Sequence, residues 1–336
     1  ESFGNHDQMR AFLKKNWFMI GMPIAVALAW VAPDGGARGG YLSAEIVTKV
    51  AVALVFFMQG LTLPAKALRD GARKGRLHLG VQGFCFLIFP LIGLTLDALV
   101  GSRLAPDLRL GFLFLCVLPS TIVMSVVLAS VAGGNVAAAI FNAVLSNVLG
   151  VFLTPLWIAW LMQTSGISQS FGAVLGEVSV LLLLPLALGQ LARRLGAKNW
   201  ADQSKKRLTH FSNASILFIV YAAFCNSVKA DVWANQGLTT LLLSLAGCAI
   251  LMGLALVGTR LLGGMLGLAP AERIILTISG SQKSLATGVP LANVIFGAHP
   301  ALGVILFPIM IYHPAQLFVC GWLAARHAKT FRVTER

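Results

Sequence analysis

The sequence predicts an all-α polytopic membrane protein of ten transmembrane helices, and three observations carry that prediction. Of 336 residues, 57% are hydrophobic and only 11% are charged, with a mean hydropathy of +0.81. A soluble chain of this size has too much surface to cover with so few charges. Those charges cluster between apolar runs of about 20 residues, the length a helix needs to cross a hydrocarbon core. Lys and Arg are also divided very unequally between the alternate loops. Disordered, collagen-like, coiled-coil and disulfide-rich secreted classes are excluded by the same composition.

Span 1 covers 16–32, after Arg10, Lys14 and Lys15, and contains Met22-Pro23. It shows no small-residue cleavage site, so it is read as a span and not as a cleaved leader. Span 2 (43–63) carries Glu45 and Lys49 at i,i+4, a spacing that suits a local ion pair near its outer end. Span 3 covers 78–100. Span 4 (109–131) contains Pro119-Ser120-Thr121 and Ser125, and Gly133-Gly134-Asn135 separates it from span 5 (135–163). Span 5 is long enough to cross at a steep tilt and carries Asn142, Ser146 and Asn147. The uncharged QTSGISQS segment, 163–170, reads as a linker. Beyond it come span 6 (171–192) with Glu177 and Leu184-Pro185, a basic loop, and spans 7 (209–228) and 8 (238–262). Span 9 (273–296) holds Ser279-Gly280-Ser281-Gln282-Lys283-Ser284 followed by Thr287-Gly288-Val289-Pro290, and span 10 (302–325) holds His313-Pro314.

With the N-terminus inside, twenty Lys and Arg fall in inside segments and four outside: Arg38, Arg103, Arg109 and Lys229. Lys49 and Lys283 lie within spans. That bias places both termini in the cytoplasm of a multi-pass integral membrane protein, in the inner membrane if the source is bacterial. The formal charge of +14 is thus a topology signal and no sign of nucleic-acid binding. Five spans per half give the halves opposite orientations, as in an inverted-topology repeat, here 1–167 and 168–336. The five cysteines are isolated in apolar runs and form no CxxC or metal spacing.

Spans 4 and 9 are each fourth in their half, and both are hydroxyl-rich and interrupted by Gly or Pro. Such segments at matching positions point to broken helices, whose freed carbonyls, hydroxyls and helix ends bind ions or solute near the midplane. Small-residue helix packing is the plainer alternative. The expected ion-binding residues are Ser120, Thr121, Ser125, Ser281, Gln282 and Ser284. Lys283, Asn142, Asn147 and Thr287 are the expected substrate contacts. A lysine at mid-span costs about 2.5 kcal/mol or more on insertion scales and needs a partner. Spans 4, 5, 9 and 10 offer no Asp or Glu inside the membrane. Lys283 therefore takes the place of a bound cation, pairs with an anionic substrate, sits uncharged, or snorkels to an interface. No nucleotide loop, HExxH, GxSxG or catalytic dyad occurs, so no enzyme activity, metal centre or organic cofactor is expected.

At GLTLP (60–64), LPST (118–121), LSNVLGVFLTPLW (145–157), LPLALGQLARR (184–194) and GSQKSLATGVPLA (280–292), the chain resembles the bile acid:sodium symporter family. This is solute carrier family 10, and the likeness is to its seventh-member branch with bacterial candidate symporters. The resemblance implies a panel domain of spans 1, 2, 6 and 7, and a core of spans 3–5 and 8–10 in which spans 4 and 9 break and cross. It also implies sodium-coupled uptake by movement of one domain against the other. Gln282 matches a sodium-site glutamine of the family and Ser125 a serine. The family's acidic position falls on Ile278, and its two asparagine positions fall on Lys283 and Val126. Losing a carboxylate and gaining a lysine weighs against two intact sodium sites. The expected function is secondary active transport of a small organic anion, with Na+ as the candidate coupling ion and H+ as the alternative. An ion-handling or regulatory membrane protein and a proton-coupled exchanger are the other readings.

Overall fold

The computed structural model describes residues 2–63, 73–164, 176–233 and 237–334, which are helical with no strand among them. Seven helices are long and apolar enough to cross a membrane. In chain order the helices are α1 (Ser2–Val31), α2 (Ala44–Thr62), α3 (Gly75–Arg103), α4 (Pro106–Val117), α5 (Val123–Val131) and α6 (Val136–Thr164). They continue as α7 (Gly176–Gln203), α8 (Lys205–Lys229), α9 (Gly237–Met265), α10 (Pro270–Ser281), α11 (Leu285–Phe296) and α12 (Leu302–Thr334). The apolar part of α1, Trp17–Val31, is shorter than the seven. α4, α5, α10 and α11 have 12, 9, 12 and 12 residues, so each is at most about 18 Å long and falls short of a ~30 Å hydrocarbon core. They come as two consecutive pairs, interrupted at 118–122 and at 282–284.

The helices pack in two groups. α2 lies against α7 and α8, and α1 against α8. α12 is the hub of the other group, touching α4, α5, α9, α10 and α11, with α3 and α6 completing it. The groups meet where α8 touches α11 and α12, and where α2 touches α11. A shared apolar core of Phe56, Phe84, Phe89, Phe114, Phe224 and Tyr312 joins them. All five cysteines are buried and free.

α2 and α7 approach so closely that only glycine fits. A Cβ on Gly60 would stand 2.2 Å from the Leu186 carbonyl oxygen, and one on Gly189 would stand 2.1 Å from that of Phe57. Gln190 Nε2 and Arg193 Nη1 then reach the last carbonyls of α2, Gly60 O and Leu61 O. Gly189→Ala must push backbone from backbone, which no rotamer relieves. It is expected to destabilise by about 1–3 kcal/mol in thermal unfolding. Gly253→Ala in α9, where a Cβ meets nothing within 4 Å, serves as the neutral or mildly stabilising control.

Two expectations are corrected here. Residues 193–208 are not a loop: α7 runs on to Gln203, eleven residues past the expected end of span 6, and α8 begins at Lys205. A π-turn over Arg193–Ala197, with Gly196 at φ +128°, bends the chain, and Arg193 pairs with Asp202 across it. Arg and Lys are good helix formers, so a basic segment need not unwind in water. The ion pair of Lys49 runs to Glu177, Nζ to Oε1 3.5 Å, and not to Glu45. The close α2–α7 packing brings that carboxylate within reach. Most of the 163–170 linker and the first residues of span 6 lie outside the described residues.

Candidate functional site

Where α4 ends, its last carbonyls have no helical partner, and inside a membrane no bulk water can serve them. Each is bonded by another part of the chain. Cys116 O and Leu118 O accept from Lys283 Nζ, both at 2.8 Å, and Val117 O accepts from Thr154 Oγ1 at 2.7 Å. Pro119 O accepts from the Ser284 N–H at 2.7 Å, and Ser120 O from Asn147 Nδ2 at 2.8 Å. The Ser120 N–H donates to Ser146 Oγ at 2.9 Å. The first break is therefore held by α6 on one side and by the second break on the other.

The second break, Gln282 to Ser284, is extended at Gln282 (φ −83°, ψ 144°) and at Ser284 (φ −84°, ψ 108°). Gln316 of α12 treats the Lys283 peptide as a strand would. Its Oε1 accepts the Lys283 N–H at 2.7 Å, and its Nε2 donates to the Lys283 carbonyl at 2.8 Å. His313 Nδ1 lies 2.9 Å from Gln316 Nε2, and the Tyr312 hydroxyl donates to Ser281 O at 2.7 Å. Ser284 caps α11, its Oγ accepting the Thr287 N–H at 3.2 Å. Thr287 Oγ1 donates to Asn147 Oδ1 at 2.7 Å, and Ser125 Oγ donates to Gln282 Oε1 at 2.7 Å. The two breaks cross and are bonded to each other through backbone and side chains.

The Lys283 side chain is fully buried. Besides Cys116 O and Leu118 O, its ammonium donates to Cys85 O at 3.1 Å and lies 4.2 Å from the centroid of the Phe89 ring. Three carbonyls and an aromatic face thus surround the Lys283 nitrogen. Cys85 O is available because α3 makes a π-turn over Phe84–Ile88, and Pro90 supplies no N–H to the carbonyls a turn before it. The neighbouring Phe86 O is taken by Trp157 Nε1 at 2.9 Å. Donor capacity remains at the crossing. No side chain caps α5 at Ile122, and the buried Gln282 Nε2 makes no hydrogen bond among the described residues, although the Cys320 thiol lies beside it.

A family model matches residues 16–329, nearly the whole chain. The chain belongs to the SBF-like CPA transporter family. An uncharacterised Pseudomonas aeruginosa protein is 39% identical to it over 319 residues, covering 95% of this chain and 94% of the relative. An Escherichia coli K12 protein named as a candidate symporter is 36% identical, covering 96% and 95%. Mouse sodium/bile acid cotransporter 7 is 31% identical over 318 residues, covering 91% and 90%. The resemblance drawn from the sequence is thereby shown, and the chain is a multi-pass membrane protein of a transporter family.

Within this SBF-like transporter fold, nine of the ten expected site residues meet at the crossing or next to it. Ser120, Ser125, Gln282, Lys283, Ser284, Thr287 and Asn147 form the bonded set, with Ser281 offering its carbonyl to Tyr312 and Thr121 buried in the first break. Asn142 sits more than a turn away along α6. It bonds Gln82 of α3 at 3.1 Å through its carbonyl and bonds back to Ala138 O. Sequence reading missed Gln316, Tyr312, Phe89 and the Cys85 carbonyl. A signal existed for two of them: Gln316 is a lone amide in an apolar run, and Pro90 frees carbonyls one turn earlier. No group of His, Cys, Asp and Glu that could hold a metal occurs among the described residues.

Proposed function

We propose that the chain is a secondary transporter that moves a small organic anion across the membrane by alternating access, with the anion bound at the crossing of the two breaks. In this reading α4–α5 and α10–α11 are each one broken span. That makes ten spans in two inverted halves, 1–167 and 168–336, with both termini cytoplasmic. α1, α2, α7 and α8 form the panel; α3–α6 and α9–α12 form the core that moves against it. The reciprocal bonding of the two breaks inside the core is the observation that carries the reading. Irregular backbone at membrane depth persists where it is held by protein and serves a site.

An anion fits the donors left over. The open N-terminus of α5 and the Gln282 amide meet where Ser125 bonds Gln282, and both favour a negatively charged acceptor. Lys283 adds a positive charge behind them. Its ammonium occupies a carbonyl cage of the kind that holds a metal cation, so it stands in for a coupling ion and transport runs without sodium. A weakened sodium site is the second reading, favoured by the closeness of Ser120 Oγ, Ser125 Oγ and Gln282 Oε1.

Counterflow in proteoliposomes with a panel of labelled carboxylates and sulfonates, in sodium or in choline, tests both. Expected is counterflow of at least one anion at equal rates in the two salts, lost in Gln282→Ala. A strict sodium requirement selects the second reading. No anion counterflow, together with altered cation flux, makes the chain an ion-handling protein instead.

A further inference from the structure

The two groups of helices are hydrogen-bonded to each other where α11 ends and α12 begins, the far end of α11 from its break. The connection between α1 and α2 is fastened to α8. The Tyr221 hydroxyl donates to Ala32 O at 2.6 Å, Lys229 pairs with Asp34, and the Arg38 N–H donates to Asn226 Oδ1 at 2.9 Å. Arg38 is thereby aimed across the boundary, and its Nη2 donates to Gly297 O at 2.7 Å. Gly297 caps α11, so a guanidinium meets the negative end of a helix dipole at a carbonyl with no helical partner. Beside it, Ser227 Oγ of α8 accepts the Gly303 N–H from the first turn of α12 at 3.0 Å. The Ser227 proton reaches either Pro300 O at 2.9 Å or Ala223 O, in its own helix, at 3.1 Å. Trp233 stacks on Phe224 of α8 and lies at a steep angle to Phe307 of α12. The end of α5, the other half-span that leaves a break, is treated differently. Ala132 O there accepts from His327 Nδ1 at 3.0 Å, and both residues belong to the group around α12. That bond stays whole if the groups part; the bonds of Arg38 and Ser227 across the boundary do not.

We propose that Arg38 and Ser227 form a releasable clasp that shuts one side of the boundary between the groups, and that the path from that side to the crossing opens when the clasp lets go. The inference rests on the reading that the core moves against the panel. With both termini cytoplasmic, as in that reading, the clasp is on the outer side. Its bonds are of a kind that can be traded. Arg38 is exposed, so water can replace Gly297 O as its acceptor, and Ser227 can turn its proton from Pro300 O to Ala223 O. The clasp therefore favours the closed state by a modest margin and does not weld it. Burial runs the same way. On α8, every residue from Ile219 to Cys225 is buried, whereas His210, Phe211 and the stretch from Lys205 to Arg207 at the other end are exposed. On α12, residues 301–306 are buried, and Phe318, four turns further on, is 81% exposed. The two helices that meet across the boundary are thus most enclosed at the clasped end.

The test uses the full chain in membrane vesicles of both orientations, with a small sulfonated thiol reagent that does not cross lipid and peptide mass spectrometry to read each cysteine. Tyr41→Cys, at a position 91% exposed near Arg38, marks the clasp side, and Thr121→Cys in the first break reports access to the crossing. The five native cysteines, all buried, set the background. Expected is faster reaction at residue 121 from the side away from the clasp. Adding Arg38→Ala and Ser227→Ala should raise the rate from the clasp side roughly tenfold, the worth of a charge-assisted hydrogen bond, and leave the other rate no higher. A merely structural loss would raise both. Arg109→Gln, whose pair with Asp97 lies within one group, should change neither. A disulfide gives the converse. A Cβ on Gly303 would stand 3.3 Å from that of Ser227, within a few tenths of an ångström of disulfide spacing. Oxidising Ser227→Cys with Gly303→Cys should abolish reaction at residue 121 from the clasp side, and reduction should restore it. Equal reaction from both sides in Thr121→Cys alone, an unchanged clasp-side rate in the alanine variant, or clasp-side reaction despite the disulfide would each overturn the proposal. The disulfide comparison is made within one protein, so it decides the matter even if the alanine variant fails to fold. No readout needs a transported solute, so a failed clasp is told apart from a failure of counterflow in the unsubstituted chain.

Discussion

Lys283→Ala is expected to cost about 3–5 kcal/mol of stability, and to make the protein respond to small monovalent cations. The substitution removes the one donor that satisfies Cys85 O, Cys116 O and Leu118 O together, and leaves those carbonyls converging on a space the size of the lost side chain. Burying an ammonium is itself costly, so its removal recovers part of the loss and holds the figure to that range. The carbonyls and the Phe89 ring then form a vacant cation site. Sodium or a short alkylammonium should raise the unfolding temperature of the variant and leave the parent protein unchanged. A ligand at about 100 times its dissociation constant contributes about 2.7 kcal/mol, a shift of several degrees. Lys283→Arg should not rescue, because a planar guanidinium cannot point three donors at three converging carbonyls. Unchanged stability in the alanine variant, with no cation response, would sink the idea that this ammonium fills an ion's place.

Gln316→Leu should be nearly as damaging, by a different route. The leucine keeps most of the volume but leaves the Lys283 N–H and carbonyl buried without partners, at about 1–3 kcal/mol each. The break then has no fixed path, and Lys283 and Ser284 lose their aim at α4. Thermal unfolding should fall by a comparable amount and counterflow should stop. No cation should restore this variant, because its ammonium is still present. That contrast separates the two substitutions: one empties a site, the other unfastens the segment that carries it. Retained counterflow in Gln316→Leu would show that the second break holds its shape without the amide.

The spans were legible because hydrocarbon thickness fixes apolar length. Lys205–Lys229 and Gly237–Met265 contain the expected 209–228 and 238–262 with a few residues to spare. The breaks were legible too, since Pro119 and the run from Ser279 to Ser284 put helix-weakening and hydroxyl residues where a plain span would have leucine. Partners were not legible. Lys283 lies 33 residues from Gln316 and 198 from Cys85, and nothing local in either segment specifies the meeting. The same limit explains Lys49, whose local neighbour Glu45 is at the standard helical spacing but loses to Glu177 on a packed helix. It also explains residues 193–208, where charge was read as loop although Arg, Lys and Asp here continue a helix past the apolar run.

The crossing also has a consequence for the order in which the chain is made. A ribosome releases α4 more than 160 residues before Lys283 and Ser284. Thr154 and Asn147 arrive soon after α4 and can engage Val117 O and Ser120 O at once. The carbonyls of Cys116 and Pro119 must wait for the second half of the chain, in a lipid phase that offers them nothing, and Leu118 O has only the Cys85 thiol until then. The first half is thus delivered to the membrane unfinished at its centre. Its centre is filled by one lysine and one peptide N–H from the other half, which are fixed in turn only when Gln316 of α12 has followed them.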